Sequence, residues 1–152
     1  EMSAAHAQSA TGQSEFARTY MHTGMVWLDG HKMSKSLGNL VFVSKLRQSG
    51  VDPMAIRLAI LSHHYRADWE WTDESLFQAQ QRLNTWRTAF ATANSSEDVP
   101  SKISHALAND LDTPAAIALV DQWAQSAVTA SEMSSNQQNS VALAVDALLG
   151  IK

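Results

Sequence analysis

Apolar and polar positions recur along this chain with two different spacings, and each predicts its own kind of element. Between Thr72 and Ala93, the residues Leu76, Ala79, Leu83, Trp86, Phe90 and Ala93 return at steps of three and four. That spacing lays a single apolar stripe along a long helix and suits it to bundle packing. Thr72 stands at the cap position, and Asp73 and Glu74 occupy the first turn, where the helix dipole favours anions. The same spacing joins Ile117, Val120, Ala124, Ala127 and Val128, after a start signal with Thr113 as cap and Pro114 as first helical residue. A helix from about Lys102 to Asn109 precedes it, and "VALAVDALLG" predicts a last helix closed by Gly150. "NSSEDVPS" reads as a loop and "SSNQQNS" as a polar linker.

The first part of the chain has shorter rhythms. From Ser3 to Met21 the pattern predicts a short helix, a break at Gly12 and a second short helix through Phe16, Ala17 and Tyr20. "HTGMVWLDGHKM" predicts a strand entering a tight bend at Asp29-Gly30, and "NLVFVS" a second short β-rich run. Ser44 is the expected cap of a helix through Leu46 and Arg47 that stops at Gly50. Asp52 followed by Pro53 opens a mostly buried helix through "MAIRLAILSHHY". "DWEW" places Trp69 and Trp71 on one face of an extended segment. The expected fold is mainly α, with a small α/β segment over residues 1–65 followed by an antiparallel helical bundle over 66–152.

Composition narrows the function classes. The chain has 152 residues, and 45% hydrophobic with 17% charged residues excludes a globally disordered chain. No apolar run approaches the ~20 residues of a membrane-spanning helix, and no signal peptide opens the sequence, so a cytoplasmic protein with no membrane partner is expected. Zero cysteines exclude disulfides and thiolate metal ligation within this sequence, and no metal site is expected here. A net charge of −4 gives no overall attraction to phosphate backbones, so any anion binding must be local. The opening "EMSAAHAQSATGQSEF" starts abruptly without an initiator methionine, and a fragment of a longer protein is expected.

The local concentration of positive charge is "DGHKMSKSLGN", Asp29 to Asn39. Lys32 and Lys35 act as point charges toward phosphate, and the hydroxyls of Ser34 and Ser36 with free backbone N–H groups complete an anion nest. Gly30 and Gly38 flank the segment and let it swing as a lid over a polyphosphate, where it would stabilise charge developing on departing pyrophosphate. A solvated basic turn is the alternative reading of the same composition.

"KMSKS" followed by "LGN" matches the signature loop of class I aminoacyl-tRNA synthetases and their relatives. "HTGMVWLDGHKMSKSLGN", "DPMAIRLAILSHHYR" and "DLDTPAA" resemble segments of cysteinyl-tRNA synthetases in order and spacing. With "NLVFVSKL", "HHYRADWEW", "DLDTPAAIALVDQW" and "AVDALLG", the chain is more similar still to the cysteine ligases of the mycothiol pathway. That resemblance implies an ATP-dependent ligase that activates L-cysteine as an adenylate and joins it to the amine of glucosaminyl-inositol. It implies that residues 1–65 form the end of a catalytic domain, including a stem-contact-like segment. ATP would be held by Val26, Lys32, Met33, Ser34, Lys35 and Ser36. Lys32 and Lys35 would be the catalytic pair, Lys35 the greater contributor, and the Val26 backbone would meet the adenine. A HIGH-type nucleotide motif and a cysteine-containing zinc site would lie in an N-terminal half outside this chain, leaving this piece inactive alone. Ser3 stands where cysteinyl-tRNA synthetases usually have a zinc-ligating glutamate, a departure that favours the ligase. A cysteinyl-tRNA synthetase with tRNA as partner is the alternative reading, and a non-catalytic helical interaction module the second.

Other residues carry weaker signals. His63 and His64 are adjacent and, on a helix, point ~100° apart, a poor metal pair. His31 beside the loop reads as a solvated turn residue or a phosphate contact. Trp69, Trp71 and Trp86 read as packing residues or as stacking platforms for a base or sugar. Arg57 and Arg66 are expected to brace the base of the loop through buried charge-assisted bonds. His22 either contacts nucleotide or ends its helix.

Overall fold

A computed structural model describes residues 2–13, 15–129 and 139–152. Among these residues, seven helices and three short strands run in the order α1 Met2–Thr11, β1 Val26–Leu28, β2 His31–Lys32, α2 Val43–Gln48, α3 Pro53–Leu61, β3 Trp69–Glu70, α4 Asp73–Thr92, α5 Asp98–Ala108, α6 Thr113–Thr129 and α7 Ser140–Leu149. The chain is mainly α with a small α/β part, as the pattern predicts. "SSNQQNS" lies outside the described residues except for Asn139 and Ser140, as does the side chain of Val128.

The helix starts follow local chemistry. Asp52 caps α3 by accepting a 2.8 Å bond from Met54 N–H, and Pro53 follows, where its missing donor costs nothing. Thr72 and Ser75 close a reciprocal capping box on α4, and Asn139 accepts from Val141 and Ala142 to start α7. Gly150 ends α7 at φ 65°, a left-handed cap that glycine takes without strain.

Several expectations are corrected. Residues 15–22 contain no helix, and Phe16, Tyr20 and Met21 are exposed, so a segment this short has no core to stabilise it. "NLVFVS" forms no strand: β1 is already paired on both edges, and the strand after the bend is His31–Lys32, before the lysines end rather than after. Phe42, not Ser44, is the N-cap of α2, and no side chain caps it. Helix α3 stops at Leu61, short of Tyr65. Helix α5 starts at Asp98, because Pro100 falls in the first turn, where its lack of an N–H is harmless. Asp112 rather than Thr113 caps α6, accepting a 3.0 Å bond from Ala115 N–H.

The core lies between the helices. α4 packs against α3 and α6, and α5 against α6 and α7. Leu76, Ala79, Leu83, Trp86, Ala89 and Ala93 of the α4 stripe are buried, with Phe90 half-buried against them. They meet Ile117, Val120 and Ala124 of α6, also buried, and burial of the leucine, isoleucine and valine side chains among them stabilises by roughly 1.5–3 kcal/mol each. A half-buried polar chain runs along this core from α6 to the end of α3. Asp121 accepts from the Trp86 indole and pairs with Arg82 at 3.0 Å, and Arg82 reaches the Ser62 hydroxyl at 2.9 Å. At the far end, Arg87 bonds Asp52 at 2.6 Å and the Lys152 carbonyl at 3.0 Å, tying α4 to the α3 cap and the end of the chain. Burial pushes the Asp52 carboxyl up, but the Arg87 hydrogen bond, the Met54 N–H and the Arg87 charge outweigh it and hold the group below its ordinary value.

Candidate functional site

The lysine loop grows from the small sheet, whose order is β2-β1-β3. β1 and β2 are antiparallel with Trp27 opposite Lys32, and β1 and β3 are parallel with Val26 beside Trp69. The bend between β1 and β2 has Asp29 at φ 53° and Gly30 at φ 71°, the pair of left-handed residues that matches the twist of a two-residue hairpin.

Side chains from the β3 segment hold this hairpin in place. Glu70 Oε1 accepts a 2.7 Å bond from Gly30 N–H at the bend, and Asp68 Oδ1 accepts a 2.6 Å bond from Met25 N–H at the base of β1. Gly24 N–H donates to the Tyr65 carbonyl at 2.7 Å. A Cβ on Gly24 would lie 2.1 Å from the Ala67 carbonyl oxygen, so only glycine fits where the two backbones cross.

Beyond β2 the chain folds back on itself. Met33 N–H donates to the Val26 carbonyl at 2.9 Å, so two of the predicted site residues meet directly, and the Met33 side chain packs toward the core. Ser34 Oγ lies 3.2 Å from Ser36 Oγ and accepts from Leu37 N–H at 3.3 Å. A turn over residues 35–38 is closed by Gly38 N–H on the Lys35 carbonyl at 3.2 Å, with Gly38 at φ 69°. Lys32, Lys35 and Ser36 are exposed, and neither lysine joins an ion pair among the described residues. Two ammonium groups on a short ordered turn, with no carboxylate paired to them, form a local cationic patch on an acidic chain.

The remaining candidates fall elsewhere. His31 Nδ1 sits 2.8 Å from the Asp29 carbonyl within its own bend. His63 stacks on Trp69 with centroids 4.2 Å apart and planes 10° apart, and burial lowers its pKa below the ordinary value. His64 Nε2 lies 3.0 Å from the Asp110 carbonyl. Among the described residues no group of three or more His, Cys, Asp or Glu side chains is arranged to hold a metal, and the zinc expectation placed its ligands outside this chain. Trp69 and Trp71 do share a face, 6.0 Å apart, and Trp86 is a fully buried core residue. The expectation for the arginines is corrected. Arg57 is exposed, lies beside Gly150 and joins no ion pair among the described residues. Arg66, also exposed, bonds the Tyr65 hydroxyl at 2.7 Å and Asp110 at 3.0 Å, and these contacts raise its pKa. Both side chains are exposed, and the Arg66 bonds go to Tyr65 and Asp110 rather than to the loop, so neither braces it through buried charge-assisted contacts. His22 belongs to no helix.

Sequence reasoning passed over three site residues: Asp68, Glu70 and Asn39. The "N" of "LGN" was the available signal for Asn39. Nothing local marks the other two, because their partners are about forty positions away. A cleft of about 820 Å³ opens beside the loop, lined among others by Val26, Met33, Val41, His63, Trp69 and Leu148.

Residues 1–81 match the family model described as tRNA synthetases class I (C) catalytic domain. The chain belongs to this class I (C) synthetase family. Its curated relatives include three proteins named L-cysteine:1D-myo-inositol 2-amino-2-deoxy-alpha-D-glucopyranoside ligase. That from Kribbella flavida is 59% identical over 100% of this chain and 37% of its own length. The Streptomyces avermitilis protein is 55% identical and the Rhodococcus erythropolis protein 56%, each over 99% of this chain and 37% of its own length. The chain thus spans a little over a third of the curated relatives it matches. Within the class I (C) family match fall the hairpin, the lysine loop, α2, α3 and the whole of β3. No helix among the described residues is long and apolar enough to cross a membrane.

Proposed function

We propose that this chain supplies the phosphate-loop segment and helical support of a cytoplasmic ATP-dependent ligase, which joins L-cysteine to the amine of glucosaminyl-inositol. The observation that carries this reading is the 59% identity, over the whole of this chain, with a protein named as that ligase, together with a two-lysine turn that joins no ion pair among the described residues. The cysteine carboxylate would attack the α-phosphorus of ATP, forming a new P–O bond as the bond to pyrophosphate breaks. The amine of the sugar would then attack the carbonyl carbon, expelling AMP and forming an amide. Lys32 and Lys35 would face the β- and γ-phosphates, with Ser34, Ser36 and the Met33 backbone completing the cradle. Lysine charge stabilises most where negative charge develops, on the departing pyrophosphate. The carbonyl of Val26 accepts from Met33 N–H, which couples the strand proposed to meet adenine to the loop proposed to meet phosphate. The HIGH-type motif and the zinc site belong, in this proposal, to residues outside the chain, and residues 1–65 are the end of the catalytic domain with the helical bundle beyond.

Lys35→Ala in the full-length protein tests the reading. Cysteine-dependent ATP–pyrophosphate exchange is expected to fall about 10²- to 10³-fold in kcat, the usual loss for one transition-state donor. An unchanged rate would sink the proposal. Stimulation of AMP release by tRNA instead of glucosaminyl-inositol would favour a cysteinyl-tRNA synthetase.

A further inference from the structure

We infer that Asn39 is the positioning residue of the lysine loop: its amide ties the far end of the loop back to the backbone of Lys32 and Ser34 and so fixes where Lys32 and Lys35 point. Gly38, in its left-handed conformation, turns the chain so that Asn39 comes back beneath the start of the loop. There Asn39 Oδ1 accepts a 2.9 Å bond from Ser34 N–H, five residues earlier. Its Nδ2 donates in the other direction, lying 3.3 Å from the Lys32 carbonyl and 3.5 Å from the His31 carbonyl. One half-buried side chain therefore contacts the backbone of His31, Lys32 and Ser34, on both sides of Met33. The bonds between Ser34 and Ser36, from Leu37 to Ser34 and from Gly38 to the Lys35 carbonyl lie within the loop and do not reach back to β2. Asn39 is thus the side-chain link between the turn that carries Lys35 and the strand that ends at Lys32.

An amide suits this place because it offers an acceptor and a two-hydrogen donor on the same carbon. Aspartate keeps the acceptor but turns a carboxylate toward two carbonyl oxygens, and alanine removes every contact. A lysine displaced by about 1 Å loses most of its catalytic value, so the loss belongs in kcat rather than in cysteine binding.

This inference rests on the reading of the loop as a triphosphate clasp, and the experiment separates the two. In the full-length protein, wild type, Asn39→Ala, Asn39→Asp and Lys35→Ala are compared by cysteine-dependent ATP–pyrophosphate exchange. Amide hydrogen exchange is followed at Ser34 and at the core residue Leu83, without nucleotide. Both Asn39 variants are expected to lower kcat roughly 10- to 100-fold with the KM for cysteine unchanged. Asn39→Ala should also lose protection at Ser34 while Leu83 stays protected, and Lys35→Ala should keep protection at both. Wild-type kcat in Asn39→Ala, or lost Ser34 protection with no change in kcat, overturns the positioning role. Lost protection at Leu83 does so as well, since it makes the effect one of global stability. If Lys35→Ala keeps the wild-type rate, it is the underlying reading that fails.

Discussion

The indole Nε1 of Trp86 donates a 2.7 Å hydrogen bond to Asp121 Oδ1, and this contact lets the largest side chain of the core be fully buried with its one polar atom satisfied. The second carboxylate oxygen binds Arg82, so one acid joins a donor on the α4 stripe to a cation one turn before it.

Asp121→Ala would leave the indole N–H buried without an acceptor. A loss of about 1–3 kcal/mol is predicted, read as a lower urea midpoint with an unchanged slope. Asp121→Asn retains an acceptor and is predicted to lose less. Equal losses in the two variants would show that the Arg82 charge pair, and not the indole bond, carries the effect.

The crossing of Gly24 with the Ala67 carbonyl gives a second prediction. Gly24→Ala forces backbone apart from backbone, and no flexible side chain can yield. The cost is predicted at the upper end of the ~1–3 kcal/mol typical of overpacking, with amide protection lost first at Met25 and Trp69, whose bonds flank the crossing. Undiminished protection at those two amides would count against the close approach.

His63 links stability to pH. Burial lowers its folded-state pKa below the unfolded value of 6.5, so the unfolded chain takes up a proton first as pH falls. Stability is therefore predicted to decline as pH drops from about 6.5 to the folded pKa and to level off below it. His63→Phe keeps a ring against Trp69 and removes the proton, and it should flatten that part of the stability profile. A profile as steep in the variant as in the wild type would assign the slope to other groups.

Much of this molecule is written in local spacing. The Leu76-to-Ala93 stripe, the Asp52-Pro53 and Thr72 starts, the Gly150 stop and the Asp29-Gly30 bend each depend on residues within about four positions. Propensity, capping and left-handed φ act at that range. The "KMSKS" string with "LGN" likewise carried the family resemblance without any knowledge of contacts. Tertiary structure alone decided the rest. Whether "NLVFVS" became a strand depended on what surrounded it: β1 was already paired with β2 and β3, and Val43 and Ser44 went into α2. Whether Phe16 and Tyr20 made a helix depended on an apolar surface to cover them, and among the described residues they stay exposed. Asp68 and Glu70 reached the hairpin, and Asp121 reached Trp86, across separations of 35 to 43 residues. No periodicity spans such a distance, because those partners meet only after the chain has closed on itself.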